Sequence, residues 1–230
     1  MFRIDKSNQN SRFLVSTDID WAPDFVLEYV LKFFDELNVQ ITWFVTHKSP
    51  ILEKINNSGH ELGLHPNFNN LLNGKEYNKN SFDIIHELQK VVPKAVSIRS
   101  HSATWSSQIH NQFNQLGLKN DCNIFYPFSS GIIKPYKSFN SLRLIPYCWS
   151  DDIHIAYGWD YKKTLNTLIG IDELFCIDCH PIHIYLNSNN LKPYNTVKYD
   201  LNNQKVVDKH VNNSDYGTRN FLEELIESKK

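Results

Sequence analysis

The chain has 230 residues, and its 24 Lys and Arg against 25 Asp and Glu give a formal net charge of -1 when the histidines are neutral. This balance, with no run of five basic residues, lacks the electrostatic footprint of a nucleic-acid binder, so we expect no nucleic-acid partner. With 41% hydrophobic residues, the chain can bury one sizeable core and roughly 70% of its unfolded surface.

The N-terminal residues 1–12 are polar and lack the basic and apolar regions of a signal peptide. No apolar run approaches the length of a membrane span. We therefore expect a cytoplasmic protein without a membrane span. In that compartment free thiols are expected at Cys122, Cys148, Cys176 and Cys179. The sequence gives no indication of the oligomeric state.

Strands and helices are predicted to alternate along the chain. Residues 13–20 (FLVSTDID) form an apolar segment that ends in carboxylates, which is typical of a buried strand. In residues 24–38, apolar positions recur every three and four residues and predict an amphipathic helix. Further strands are predicted at 39–46, 60–65, 95–102, 142–149 and 174–184, and further helices at 51–56, 81–91, 106–116, 161–169 and 218–227.

Six or seven β/α units of this kind predict a parallel sheet or barrel. We expect a single domain over residues 1–230, with its core at about 13–185 and a C-terminal helix at about 218–227. In such folds the reactive groups gather at the carboxyl ends of the strands. The polar residues predicted there are Asp18, Asp20, His47, His65, Arg99, His101, Asp178, His180 and His183.

Two pairs of these residues are spaced to meet. Side chains two residues apart on a strand point to the same face, so Asp18 should converge with Asp20 and Arg99 with His101. Two neighbouring carboxylates repel each other unless a cation or a shared proton is present. Asp20 and His65 are suitable metal ligands, and a catalytic site usually adds one more protein ligand. A D-x-D pair alone is a weak motif, and Asp18 could equally cap a helix or form an ion pair.

A C-x-x-C-H pattern at residues 176–180 matches haem-attachment and dithiol motifs. We reject both interpretations because the surrounding segment LFCIDCHPIHIYL has the character of a strand, on which Cys176 and Cys179 would face opposite sides.

In this order, the motifs resemble those of the NodB-homology polysaccharide deacetylases, carbohydrate esterase family four, over roughly residues 13–185. Residues 16–20 (STDID) look like the first motif of the family, which implies that Asp18 is the catalytic base and Asp20 a metal ligand. Residues 59–65 (GHELGLH) are similar to the lead of the second motif, which implies that His65 is a ligand. This second match is specific.

The sequence departs from the family pattern at one ligand. The second motif normally carries a further His or Asp four residues after its first His, and this chain has Asn69 there. Our candidate for the missing ligand is His101, two residues from Arg99, because Arg99 resembles the third-motif Arg that orients the base. His47 and Asn69 stay open as alternatives.

The last two motifs concern the general acid. Residues 149–152 (WSDD) are similar to the fourth motif, an acid near a Trp, and residues 175–180 (FCIDCH) to the fifth, an apolar strand that ends in His. The resemblance implies that His180 protonates the departing amine and that Asp151 or Asp152 orients it. His183 is the alternative acid. It also implies one divalent metal ion, Zn²⁺ or Co²⁺ or a similar ion.

The resemblance thus implies an α/β fold with a deformed (β/α)7-type barrel. The implied function is metal-dependent hydrolysis of the N-acetyl amide of an acetamido sugar, in a surface polysaccharide or its precursor. The segments HPNF and HPIHIYLN are similar to a divergent intracellular branch associated with surface-polysaccharide and lipopolysaccharide assembly. Two rivals stay open: an amidase acting on a small non-sugar amide, and a catalytically inactive carbohydrate-binding protein.

Overall fold

The computed structural model describes residues 13–230, which form an α/β fold around one nine-stranded sheet. The strands are β1 Phe13–Asp18, β2 Thr42–Val45, β3 Glu61–Leu64, β4 Ser97–Ile98, β5 Asn120–Asp121, β6 Tyr136–Lys137, β7 Arg143–Leu144, β8 Trp149–Ser150 and β9 Phe175–Cys179.

Helices connect most of the strands. They are α1 Asp24–Glu36, α2 Ile51–Asn57, α3 Asn69–Leu72, α4 Ser81–Val91, α5 Ser107–Gln115, α6 Asp151–Ala156, α7 Tyr161–Ile169, α8 Pro181–Leu186, α9 Lys192–Val197, α10 Gln204–Val207 and α11 Thr218–Ser228. Short 3₁₀ turns lie at His101–Ala103, Phe128–Ser130 and Asp208–His210.

The sheet curls into a barrel. Its strand order is β6-β7-β5-β4-β3-β2-β1-β9-β8, and its pairs are parallel except for β6 with β7. Strands β7 and β8 belong to one stretch, residues 143–150. On one side this stretch pairs with β5 and, at Tyr147, with Phe125. On the other side Trp149 lies opposite Ile177 of β9. The hydrogen bonds therefore run around seven strand positions, which confirms the predicted deformed (β/α)7-type barrel.

The sheet separates a large outer core, packed under the helices, from a small cluster inside the barrel. The inner cluster consists of Phe44, Cys122, Ile145, Tyr147 and Cys176. Cys179 belongs to the outer core, so Cys176 and Cys179 do lie on opposite faces of β9. All four cysteines are buried and free. The C-x-x-C-H segment is therefore part of the barrel wall.

One predicted element is wrong in its second half. The apolar run at residues 174–184 predicts a continuous strand, but β9 ends at Cys179 and α8 begins at Pro181. The proline ring fixes φ near the helical value. Proline also has no backbone N–H, but in the first turn of a helix this group has no partner within the helix. Pro181 therefore favours the start of a helix at this position. His180 consequently sits at a strand-to-helix junction, at the carboxyl end of β9.

Within residues 13–230, no helix has both the length and the apolar character needed to cross a membrane.

His154 on α6 is a buried histidine in an aromatic environment. Its ring stacks on Tyr161 with centroids 4.0 Å apart, and its Nδ1 accepts a hydrogen bond from Trp149 Nε1 at 3.0 Å. Burial lowers the pKa of His154 to about 4. Between this pH and about 6.5, the unfolded chain binds a proton that the folded chain excludes. The stability that His154 contributes is therefore complete above about pH 6.5 and is lost as the pH falls toward 4.

We expect His154 to account for about 2 kcal/mol of the loss in unfolding free energy between pH 7 and pH 4.5, allowing for partial solvent screening. His154→Gln keeps an acceptor for Trp149 but does not titrate, so its unfolding free energy should vary less with pH. Urea unfolding at several pH values measures this, with the exposed His86→Gln as control. Equal pH dependence in His154→Gln and the unchanged protein would contradict the expectation.

Candidate active site

Three ionisable residues meet at the carboxyl ends of β1, β3 and β4. Asp20 follows β1, His65 follows β3, and His101 lies in the 3₁₀ turn after β4. His101 Nδ1 is 3.0 Å and His65 Nε2 is 3.1 Å from the same atom, Asp20 Oδ1. One potential ligand atom from each residue lies within 4.8 Å of the other two. The set of one carboxylate and two imidazoles is a ligand set that zinc and similar divalent metals accept.

The chain reaches this geometry through unusual backbone. The Ala22 N–H donates to the Ile19 carbonyl at 2.7 Å, and the two residues between them, Asp20 and Trp21, have φ of +36° and +57°. After His101, Ser102 is also left-handed, with φ of +58°. Positive φ is uncommon for residues other than glycine and marks strain that clusters at functional sites. These turns direct Asp20 and His101 toward each other although neither residue belongs to a strand.

The environment of His65 suits a bound metal ion. Its side chain is buried, and neither ring nitrogen has a hydrogen-bond partner within residues 13–230. Nε2 is close to the Asp20 carboxylate but not aligned for a hydrogen bond with it. Buried polar atoms are rarely left unpaired. A cation shared by Asp20 and His65 would satisfy this nitrogen, so the residues present fit a bound metal.

The charge state of the group agrees with this role. Burial alone would raise the pKa of Asp20, but the hydrogen bond with His101 and the nearby His65 and His180 imidazoles hold that pKa well below its usual value. The side chains of Asp20 and His101 are 27% and 23% exposed, whereas that of His65 is 2% exposed. The cluster is thus anchored on its His65 side and open to solvent on the other.

Two other groups of acids and histidines have ligand-like spacing: Asp18, Asp178 and His180, and Asp151, Asp152 and His180. In the first group both carboxylates already accept from the Arg99 guanidinium, whose positive charge opposes a metal there. In the second, both Asp151 oxygens accept from His180. We therefore assign the candidate metal site to Asp20, His65 and His101.

Arg99 fills the interior of the barrel below this cluster. It is 1% exposed, and its guanidinium carbon lies 4.5 Å and 4.4 Å from the ring centroids of Phe44 and Tyr147. Its Nη1 donates to Asp18 Oδ1 at 3.0 Å and also to Asp178 Oδ1. A guanidinium held between two aromatic rings keeps a fixed orientation. Arg99 therefore holds Asp18 in place beside His65, whose Nδ1 is 3.6 Å from Asp18 Oδ1.

Asp178 is a member of the site that the sequence reasoning left without a role. It lies two residues before His180 on β9, and it accepts from Ser16 Oγ at 3.1 Å as well as from Arg99. Burial, with Asp18 close by, raises the pKa of Asp178 well above its usual value despite the guanidinium. The sequence did contain an indication of this position: Asp178 lies two residues before His180, near the end of the same strand.

His180 is oriented by Asp151. Its Nδ1 is 2.7 Å from Asp151 Oδ1, and its backbone N–H donates to Asp151 Oδ2 at 2.8 Å. Its other ring nitrogen, Nε2, is 3.6 Å from Asp20 Oδ2. Although burial opposes protonation, the Asp151 carboxylate holds the pKa of His180 well above its usual value. The Nε2 atom of His180 therefore lies beside the cluster of Asp20, His65 and His101.

The alternatives that the sequence left open, Asp152 and His183, have hydrogen-bond partners of their own. Asp152 accepts from Ser150 Oγ and from the Ile153 N–H at 2.7 Å, at the first turn of α6. His183 is buried on α8, with Nδ1 3.0 Å from Ser188 Oγ, and burial lowers its pKa. The geometry therefore favours Asp151 over Asp152 as the partner of His180, and His180 over His183 as the acid.

The two alternative third ligands are less well placed than His101. His47 Nδ1 is 2.8 Å from Thr46 Oγ1, at the end of β2. Asn69 begins α3, where its backbone N–H donates to Asn67 Oδ1 at 2.8 Å. His101, in contrast, contacts Asp20 directly.

Comparison with solved structures defines the class. The chain superimposes on a polysaccharide deacetylase from Mycobacterium smegmatis with a TM-score of 0.56 and 19% identity, covering 75% of this chain and 78% of that one. A family 4 carbohydrate esterase from Streptomyces lividans gives a TM-score of 0.51 and 8% identity, covering 75% and 80%. At these identities the likeness concerns the fold, which is that of the carbohydrate esterase family four deacetylases.

A nearer likeness identifies the family. The family model WbmS-like polysaccharide deacetylase matches residues 15–198. A structure from Bordetella bronchiseptica, described as a polysaccharide deacetylase involved in O-antigen biosynthesis (WbmS), is 35% identical with a TM-score of 0.89, covering 96% of this chain and 92% of that one. The chain therefore belongs to the WbmS-like polysaccharide deacetylase family. Among curated proteins, no match was found.

Proposed function

We propose that this protein is a metal-dependent N-deacetylase that hydrolyses the acetamide of an acetamido sugar, in a surface polysaccharide or its precursor. The observation that carries the proposal is the placement of three elements at one end of the barrel: the Asp20, His65 and His101 cluster, the Asp18–Arg99 pair, and the His180–Asp151 pair. As a metal site, a base and an acid, they would supply an activated water, a positive charge for the carbonyl oxygen and a proton for the departing amine.

Asp20, His65 and His101 would hold the metal. A bound divalent ion such as Zn²⁺ or Co²⁺ lowers the pKa of a coordinated water and polarises a carbonyl oxygen. Three protein ligands leave positions open for water and substrate, as in other catalytic zinc sites. The solvent-exposed side of Asp20 and His101 is where a substrate acetyl group can approach.

Asp18 is the proposed general base. Its Oδ1 lies between Arg99 Nη1, at 3.0 Å, and the His65 ring, at 3.6 Å, so it borders the metal cluster. The hydrogen bond from Arg99 fixes the orientation of this carboxylate, so that its oxygen can accept the proton of the attacking water. Arg99 itself is a positioning residue because it acts through Asp18.

His180 is the proposed general acid. When the amide C–N bond breaks, the sugar nitrogen leaves as an amine and needs a proton, which His180 Nε2 can donate. Asp151 keeps the proton on the imidazole available by stabilising the protonated ring. The overall reaction consumes water and releases acetate and the free amino sugar. An acid and a base in one site give a bell-shaped dependence of rate on pH.

The surface-polysaccharide assignment is supported by the WbmS relative, which is described as involved in O-antigen biosynthesis. Its identity of 35% over nearly the full length of both chains makes a shared substrate class the first hypothesis to test.

A metal-replacement assay tests the proposal. The purified protein is stripped with a chelator, reloaded with Zn²⁺ or Co²⁺, and assayed for acetate and free amine on N-acetylated amino sugars, their nucleotide-linked forms and small amides. We expect one bound metal per chain and metal-dependent release from the sugars. If acetate and amine are released only from small non-sugar amides, the protein is an amidase and not a sugar deacetylase. Sugar binding that survives chelation, with no turnover under any metal, would overturn the proposal in favour of a binding protein.

A further inference from the structure

Trp21 is an exposed indole directly beside the candidate metal site. It follows Asp20 in the chain, and 45% of its surface is exposed. Its ring centroid lies 5.2 Å from that of His101, with the two rings inclined at 73°. The indole is therefore about half exposed and lies next to a proposed ligand.

The backbone at this position does not favour tryptophan. Asp20 and Trp21 are the two central residues of a turn, both with positive φ. Turns of that type are usually built from glycine, asparagine or aspartate, because a left-handed backbone brings Cβ close to the following carbonyl oxygen. The exposure of Trp21 also means that burial in the core does not compensate. Neither backbone geometry nor core packing explains an indole here.

The polar edge of the indole is also available. The hydrogen bond that Trp21 makes within residues 13–230 is from its backbone N–H to Thr46 Oγ1, at 3.2 Å, and none involves Nε1. The side chain thus offers an exposed apolar ring and a ring N–H that has no partner within residues 13–230. This combination suits a ligand that has an apolar face edged with oxygen atoms.

We propose that Trp21 determines substrate specificity by stacking on the pyranose ring whose acetamide group lies at Asp20, His65 and His101. The inference rests on the proposed function and extends it. A pyranose presents a face of C–H groups, with partial positive charge, to the negative face of an indole. Because Trp21 contacts the sugar ring and not the amide, it separates acetamido sugars from small amides that carry the same acetyl group.

Paired substrates test this inference. The zinc-loaded protein and its Trp21 variants are assayed on the methyl glycosides of N-acetylglucosamine and N-acetylgalactosamine, and on N-(2-hydroxyethyl)acetamide, which has the amide but no ring. Trp21→Gly should raise KM for a hydrolysed pyranoside roughly 3- to 10-fold with little change in kcat. Trp21→Gly should leave KM for the acyclic amide unchanged. Trp21→Phe should have a smaller increase in KM for the pyranoside than Trp21→Gly.

Controls separate stacking from folding. Glycine suits the positive φ, so the thermal midpoint of Trp21→Gly should not fall. The exposed aromatic Tyr199, 87% accessible, provides the control Tyr199→Ala, which should leave KM unchanged. Equal losses on the pyranoside and on the acyclic amide, or no loss on the pyranoside, would overturn the inference.

Binding distinguishes the two possible failures. Fluorescence titration of the zinc-loaded protein with the same glycosides measures binding without turnover. Binding that depends on Trp21 but leads to no amine release would support the stacking and reject the deacetylase. Amine release that does not change in the Trp21 variants would support the deacetylase and reject the stacking. Glycosides that neither bind nor react would overturn the stacking inference, whereas the deacetylase proposal is decided by the metal-replacement assay.

Discussion

Alanine at His65 or His101 is expected to weaken metal binding strongly and to reduce kcat/KM for the acetamido sugar by roughly 10³-fold or more. Each change removes one of three proposed ligands, and the remaining two cannot hold the ion tightly. His65→Ala should have the larger effect on metal affinity, because His65 is the buried ligand and His101 is partly exposed. Metal analysis after dialysis and isothermal titration with Zn²⁺ give the stoichiometry and affinity.

His47 provides the matched control. It also follows a strand at this end of the barrel, and its Nδ1 lies 2.8 Å from Thr46 Oγ1. His47→Ala should retain one metal per chain and its activity. If His47→Ala lost the metal while His101→Ala kept it, the third ligand would be His47 and our assignment of His101 would be wrong.

Replacement of His180 by asparagine is expected to lower kcat by about 10²- to 10⁴-fold while the metal stays bound. Loss of the general acid leaves the departing amine without its proton donor, but Asp20, His65 and His101 are unchanged. Metal content therefore distinguishes this variant from the ligand variants. If His180→Asn also lost the metal, His180 would be a ligand and not the acid. Its Nε2 lies 3.6 Å from Asp20 Oδ2, so this outcome is structurally feasible.

The proposed effect of Asp151 on His180 can be measured in the pH dependence of kcat/KM. Asp151 stabilises protonated His180, so Asp151→Asn should lower the pKa of His180. The acid form of His180 would then be lost at lower pH, and the alkaline limb of kcat/KM should move toward acid. Asp152→Asn, whose carboxylate accepts from Ser150 and the α6 backbone, should shift the limb much less. An alkaline limb that moved only in Asp152→Asn would reverse the assignment of the two acids.

Regular elements were predictable where hydrophobic periodicity was strong. The helix predicted at residues 81–91 is α4 with the same bounds, and the helix at 161–169 is α7. Short strands were not predictable, because β5 and β6 contain two residues each and have no periodicity to detect. The strand prediction for the segment after His180 was wrong for another reason. Its apolar composition is compatible with a buried helix as well as a buried strand, and Pro181 favours the start of a helix.

The candidate site was predictable in membership but not in geometry. Strand alternation led to Asp18, Arg99 and their neighbours, yet Asp20 and His101 meet because of turns with positive φ, which alternation does not describe. The choice between Asp151 and Asp152 was also inaccessible, because it depends on how α6 begins after β8. Asp178 was seen at its strand end, but its contact with Arg99 joins residues 79 positions apart.

The stretch at residues 143–150 closes the barrel through β8, and Asp151 follows it immediately. Ser150 lies opposite Asp178, two residues before His180, so the register of this pair fixes the distance between the carboxylate and the imidazole. A single inserted residue in that stretch would displace Asp151 and disturb the seam of the cylinder at the same time. Length variation in homologous chains should therefore be tolerated at residues 129–135 and avoided at residues 143–150, and also at residues 125–128, which pair with that stretch.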